Sequence, residues 1–156
     1  MSENRSVSGT GPVPTGRLSW AVFAMARAHR AYACTFLRTL DLHPGQELLL
    51  MRLLERDGQT QTALLASVEL NHSTVSKSLK RMEERGLVRR EAAEHDRRVM
   101  RVWLTDKGEA LRGPLQRLWS ALEDVTTHGM DTPAIEQYIA SCEVIRQAIA
   151  DRHAKG

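Results

Sequence analysis

The chain has 156 residues, of which 42% are hydrophobic, 26% charged and only 4% aromatic, with a net charge of +3. That length suits one domain or a domain with a small annex, and the scarcity of aromatics favours packed helices over a β-sandwich. Cys34 and Cys142 form no CxxC, which argues against a disulfide framework or zinc knuckle, and no apolar run nears the roughly 20 residues of a membrane span.

Residues 1–16 are polar and rich in Ser, Gly and Pro, and are expected as a disordered tail without the hydrophobic stretch of a signal peptide. The reading is of a cytoplasmic protein with no membrane contact. Leu18, Val22, Met25, His29, Tyr32, Phe36 and Leu40 then recur at steps of three or four, the signature of a long amphipathic helix. Thr15 or Ser19 is the expected cap. His43-Pro44-Gly45 breaks the chain, with Pro44 suited to the first turn of the next helix. That second helix carries Leu48, Leu49, Leu50, Met51, Leu53 and Leu54, apolar on most sides and therefore central, and Asp57-Gly58 ends it.

A short helix is expected around 62–67. Asn71 is a good N-cap for another over about 72–85, whose apolar positions are Val75, Leu79 and Met82, with Gly86 as its C-cap glycine. The period then changes. Residues 87–91 and 99–104 read as two short strands of a hairpin, joined by a charged loop over 92–98. Thr105-Asp106 opens a further helix with Leu111, Leu115, Leu118, Leu122 and Val125, in which Pro114 kinks the chain or displaces the true start. Thr132-Pro133 caps the last helix, which carries Ile135, Tyr138, Ile139, Cys142, Ile145 and Ile149. Both cysteines read as core residues.

The order is four helices, a hairpin, then two helices. The fold class is mainly α with a small β-hairpin wing. A winged helix-turn-helix lobe over 42–104 is expected beside a helical dimerisation region over 17–41 and 105–153. The first helix and the last two are expected to pack together, with more apolar stripe than one small domain covers, so a homodimer is the expected partner arrangement.

The helix opened by Asn71-His72 places Ser73, Thr74, Ser76, Lys77, Lys80 and Arg81 opposite its apolar face. Short hydroxyls and long cations suit phosphates and base edges in the major groove, and a helix start favours phosphate. Asn71 serves as cap, and His72 is a candidate phosphate contact. Residues 71–101 hold nine cations and five anions, a local excess of four positive charges against +3 for the entire chain. The expected partner is double-stranded DNA. Arg97 and Arg98 at the wing tip suit a narrow minor groove, with Asp96 orienting the arginine.

The pieces Pro44-Gly45-Gln46, Asn71-His72-Ser73-Thr74-Val75-Ser76-Lys77, Leu79-Lys80-Arg81-Met82-Glu83-Glu84-Arg85-Gly86-Leu87-Val88, Asp96-Arg97-Arg98 and Leu104-Thr105-Asp106-Lys107-Gly108 together resemble the MarR family of bacterial transcription regulators. The resemblance implies a homodimer on a pseudo-palindromic operator, commonly as a repressor. Arg98 and Asp96 take the two positions of the family's Asp-x-Arg wing motif. Asn71-His72 departs from the family, which often has Asp there. The resemblance also implies a response to small aromatic or anionic effectors, with Trp20, Phe23, Arg27, Met51 and Arg112 as candidate pocket residues. A redox-sensing alternative rests on Cys34, with Arg30 and Arg38 one helical turn away. A winged helix used only for protein docking is the other alternative. No metal, cofactor or enzymatic activity is expected: the histidines form no i,i+4 pair, and GxSxG, HExxH and a glycine-rich phosphate loop are all missing.

Overall fold

The computed structural model describes residues 16–68 and 70–154. The expected tail thus lies outside the described residues except for Gly16. The elements run α1 (Arg17–Thr39), α2 (Gln46–Glu55), β1 (Gln59–Thr60), α3 (Gln61–Val68), α4 (His72–Glu84), β2 (Val88–Ala93), β3 (Asp96–Leu104), α5 (Asp106–Glu109), α6 (Arg112–Thr126) and α7 (Thr132–His153). The mainly helical class with a small wing holds. The chain divides into two units, Met1–Leu118 and Trp119–Gly156.

In the first unit the apolar spacing read from the sequence becomes a leucine core. Leu49, Leu50 and Leu53 of α2, Leu64 of α3, and Val75, Leu79 and Met82 of α4 are all buried. α2 is central because its inward residues recur on neighbouring turns. Its start differs from expectation: Gly45, at φ 96°, is the N-cap, and Pro44 precedes the helix. Gln46 and Glu47 replace a side-chain cap. The Gln46 amide oxygen accepts from the His43 backbone N–H at 3.0 Å, and the Glu47 carboxylate accepts from that of Gly45 at 2.7 Å. α1 likewise starts from Gly16 without a side-chain cap, so Ser19 sits inside the helix, and Thr15 falls outside the described residues.

α4 is closed at both ends. The Asn71 side chain accepts from the Thr74 N–H at 2.8 Å. At the other end Gly86 takes φ 69°, its N–H reaching the Glu83 carbonyl and that of Leu87 the Met82 carbonyl, each at 2.9 Å. This is a Schellman motif, with the buried Met82 and Leu87 as its apolar pair.

The wing is a three-stranded antiparallel sheet in the order β1-β3-β2. The third strand, β1, escapes the sequence because two residues carry no alternation. It pairs Gln59 with Val102 and Thr60 with Arg101. Asp57 and Gly58 fasten it: the Asp57 carboxylate accepts from the Leu104 N–H at 2.9 Å, and Arg101 donates to the Gly58 carbonyl at 2.7 Å. The hairpin strands are longer than expected, so the expected loop over 92–98 shrinks to a turn at Glu94-His95. The helix expected from Thr105 divides into α5 and α6, with Pro114 in the first turn of the latter. Thr105 caps α5 by accepting from the Gly108 N–H at 3.1 Å.

In the second unit, α7 starts one residue earlier than expected. Asp131 is its N-cap, accepting from the Ala134 N–H at 2.9 Å, which moves Pro133 to the second helical position. None of its described residues is buried. Cys142, expected in a core, is exposed, whereas Cys34 on α1 is half-buried. Among the described residues no helix is long and apolar enough to cross a membrane.

Candidate nucleic-acid interface

α4 turns its apolar face inward, and this sets what it shows outside. With Val75, Leu79 and Met82 buried, Ser73, Lys77, Lys80 and Arg81 are exposed, while Thr74 and Ser76 are half-buried. Asn71 and His72 are exposed at the helix start. Asn71 is engaged as a cap, and the Ser73 hydroxyl also donates to it at 2.8 Å. The outer face therefore presents hydroxyls near the N-terminus and cations through the middle.

The cations of the lobe fall into two groups. Arg85 pairs with Asp41 at 2.6 Å, across 44 residues of sequence. Arg90 clasps Glu83 through Nε at 2.8 Å and Nη2 at 2.6 Å, while its backbone N–H meets the other carboxylate oxygen at 3.1 Å. These hydrogen bonds hold the Glu83 carboxyl below its ordinary range, against an opposing effect of partial burial. Arg89 pairs with Glu91 and lies over the Trp103 ring, 5.4 Å from its centroid. Arg101 is tied to Gly58. These four arginines brace the sheet and the end of α4. Lys80 has only a loose 4.0 Å approach to Glu84. Lys77, Arg81, Arg97 and Arg98 make no side-chain ion pair or hydrogen bond among the described residues.

Arg97 and Arg98 are not at the tip, which corrects the sequence expectation. They lie at the start of β3, in an irregularity of the ladder. Ala92 faces Met100 but Ala93 faces Asp96, so Arg97, Arg98 and Val99 have no residue opposite them on β2. A bulge of this kind re-aims side chains and bends the strand. Asp96 orients the segment through the backbone, accepting from the Arg98 N–H at 2.9 Å in an Asx-type turn, and not through the guanidinium.

The candidate effector residues are placed less distinctively. Trp20, Phe23 and Arg27 are exposed on α1, the two rings 5.6 Å apart, and Met51 is half-buried on α2. Arg112 is held by Glu109 at 2.7 Å and by the Leu54 carbonyl at 3.2 Å. A groove that the sequence does not announce lies instead beside the start of α4. Its volume is about 490 Å³, and it is lined by Thr60, Gln61, Thr62, Leu65, His72, Arg98, Val99 and Met100. No local motif marks it, because its residues come from three separate stretches of chain.

Residues 40–99 match the model of the MarR family. The fold is similar to that of several solved structures. One is a MarR transcriptional regulator from Methanosarcina mazei Go1, 24% identical, with a TM-score of 0.75 over 86% of this chain and 96% of that one. Another is the transcriptional regulator SlyA, 22% identical, with a TM-score of 0.79 over 88% of this chain and 96% of that one. A third is a MarR family regulator from Listeria monocytogenes in complex with a 26mer DNA, 23% identical, with a TM-score of 0.76 over 85% of this chain and 88% of that one. The fold is thus the winged-helix fold of these structures, and residues 40–99 are similar to the MarR family.

Proposed function

We propose that the chain is a sequence-specific double-stranded DNA-binding regulator of transcription, acting as a homodimer on a pseudo-palindromic operator, as a repressor. The observation that carries this reading is the outer face of α4. It offers Ser73, Thr74, Ser76, Lys77, Lys80 and Arg81 with no acidic residue before Glu83, which suits entry into the major groove. Arg97 and Arg98, lifted off the ladder by the bulge, suit the adjoining minor groove. His72 and the neutral cap Asn71 stand where a phosphate would pass. The division of cations supports the same reading, since the arginines whose guanidinium groups are engaged within the fold are distinct from Lys77, Arg81, Arg97 and Arg98, which have no such partner among the described residues. That the Listeria relative was solved with a 26mer DNA agrees with it.

The homodimer is supported by apolar side chains that the protomer leaves uncovered. On α1, Leu18, Trp20 and Phe23 are 67%, 47% and 54% exposed; on α7, Ile139 and Val144 are 56% and 70% exposed. Trp20, Phe23, Arg27, Met51 and Arg112 remain our candidates for a small aromatic or anionic effector. The deciding experiment is a fluorescence-anisotropy titration of labelled duplex from the region upstream of the chain's own coding sequence, at low and moderate salt. Saturable binding that outcompetes random duplex is expected. No binding at low salt would overturn the reading in favour of a protein-docking role.

A further inference from the structure

The first turn of α4 fixes the direction of one hydroxyl proton. The Asn71 amide oxygen accepts twice, from the Thr74 backbone N–H and from the Ser73 hydroxyl, each at 2.8 Å. An amide oxygen can only accept, so Ser73 is the donor across that contact. The Thr74 N–H can only donate, so the Asn71 side chain cannot turn over without losing its cap. A free serine is indifferent, since its proton rotates to suit whichever base group it meets. Here the proton points back into the cap, and what the hydroxyl has left to offer is its lone pairs.

Ser73 is exposed, and with Lys77 and Lys80 it forms the stripe of α4 opposite Val75, Leu79 and Met82, at the spacing i, i+4, i+7. The two lysines have donors and no acceptor. Of these three side chains only Ser73 can accept, and it stands in the opening turn, the part of a recognition helix that meets base edges.

We propose that Ser73 reads an exocyclic amine in the major groove, that of adenine or of cytosine, with Asn71 as the positioning residue that withholds the Ser73 proton from the keto oxygens of guanine and thymine. The inference rests on the proposed DNA reading and adds to it the polarity of one contact. A keto oxygen at that place would meet a lone pair, or would have to break the Ser73–Asn71 hydrogen bond. Either outcome forfeits roughly tenfold in affinity, the worth of one hydrogen bond.

The test starts with selection from a randomised duplex library by the full-length wild type and by Ser73→Ala. Wild type is expected to enrich one motif, and Ser73→Ala the same motif with its preference relaxed at one base pair. Whether that pair is A·T or G·C decides between adenine and cytosine. Anisotropy with synthetic duplexes of the motif then completes a double-mutant cycle. At the relaxed pair the amine is deleted, with unsubstituted purine in place of adenine or pyrimidinone in place of cytosine. The deletion should weaken wild type roughly tenfold and Ser73→Ala scarcely at all; the weaker base pairing is common to both proteins and cancels. Inverting the pair, which sets a keto oxygen where the amine stood, should also weaken wild type roughly tenfold. Asn71→Gly, a residue tolerated at a helix start, frees the Ser73 proton and should bring that ratio near one. Asn71→Asp, whose carboxylate accepts the same two hydrogen bonds, should preserve it. Equal losses in wild type and Ser73→Ala on amine deletion, or an inversion ratio that Asn71→Gly leaves intact, overturn the proposal. A motif that Ser73→Ala relaxes at no pair also overturns it, while the DNA reading stands. If wild type enriches no motif, both fall.

Discussion

Arg90 and Arg98 lie eight positions apart and do opposite work. Arg90 spends its guanidinium on Glu83, joining the wing to the end of α4, whereas Arg98 is presented outward by a backbone contact to Asp96. The substitution Arg98→Ala is therefore expected to leave the melting temperature unchanged and to weaken DNA binding by about 1–3 kcal/mol; wild-type affinity in that variant would remove the wing from the interface. Lys77→Ala should weaken binding evenly across sequences and lower the slope of log K against log salt by about 0.9, one phosphate's worth. Arg90→Ala should instead lower unfolding stability by about 1 kcal/mol, as for a part-exposed pair. The Glu83 carboxyl is depressed in the folded state, so this contribution is complete above the ordinary carboxylate range and is lost as pH falls through the lower folded value. Urea titrations of wild type and Arg90→Ala at neutral pH and in acid should therefore show a stability gap that closes on acidification. A gap that widens in acid would contradict the sign.

At the scale of elements, what the sequence discloses follows from how local the cause is. Asn71 and Gly86 bound α4 as read, because a cap and a left-handed residue act within four positions of themselves. The bulge at Arg97 and Arg98 was not legible, because it depends on which residues of β2 pair across the turn. β1 was hidden for the same reason, its two residues being strand only by virtue of β3. Cys142 looked like core from its helical phase, but phase gives a direction and not what lies in that direction. Gly108 shows the contrast with Gly86 most directly. A Cβ at Gly86 meets nothing and would suffer only from φ 69°, whereas one at Gly108 would overlap the Leu87 carbonyl oxygen. Gly86→Ala should therefore cost about 1 kcal/mol, a backbone penalty. Gly108→Ala should cost more, about 1–3 kcal/mol or above, because rigid backbone must move apart. Denaturant midpoints for the two variants would check the order, and an equal loss would mean that α5 shifts freely away from the start of β2.

For the molecule as a whole, the question is what covers the apolar side chains at its ends. In the first unit, the only buried residue of α1 is Leu37, near its C-terminus, and Leu18, Trp20 and Phe23 in the opening turns stay exposed. In the second, α7 has no buried residue along its 22 positions. Neither pattern suits a helix that functions alone in water, since apolar patches of appreciable size mark interaction surfaces, and a second copy supplies matching ones by symmetry. For such a dimer to engage successive major grooves, its two α4 helices must lie about 34–36 Å apart, one turn of duplex. Phe23→Asp puts a charge into this surface without touching the leucine core of the lobe. Sedimentation velocity at micromolar concentration should show wild type as a dimer and the variant shifted toward monomer, with helicity retained by circular dichroism. Because a monomer engages a single half-site, affinity for the full operator should fall by about 10²–10⁴-fold, the scale of lost bivalency, while affinity for an isolated half-site stays nearly constant. If Phe23→Asp and Ile139→Asp both sediment as dimers, neither face is the interface. If wild type is monomeric while binding the full operator at undiminished affinity, the paired-helix model fails at its root.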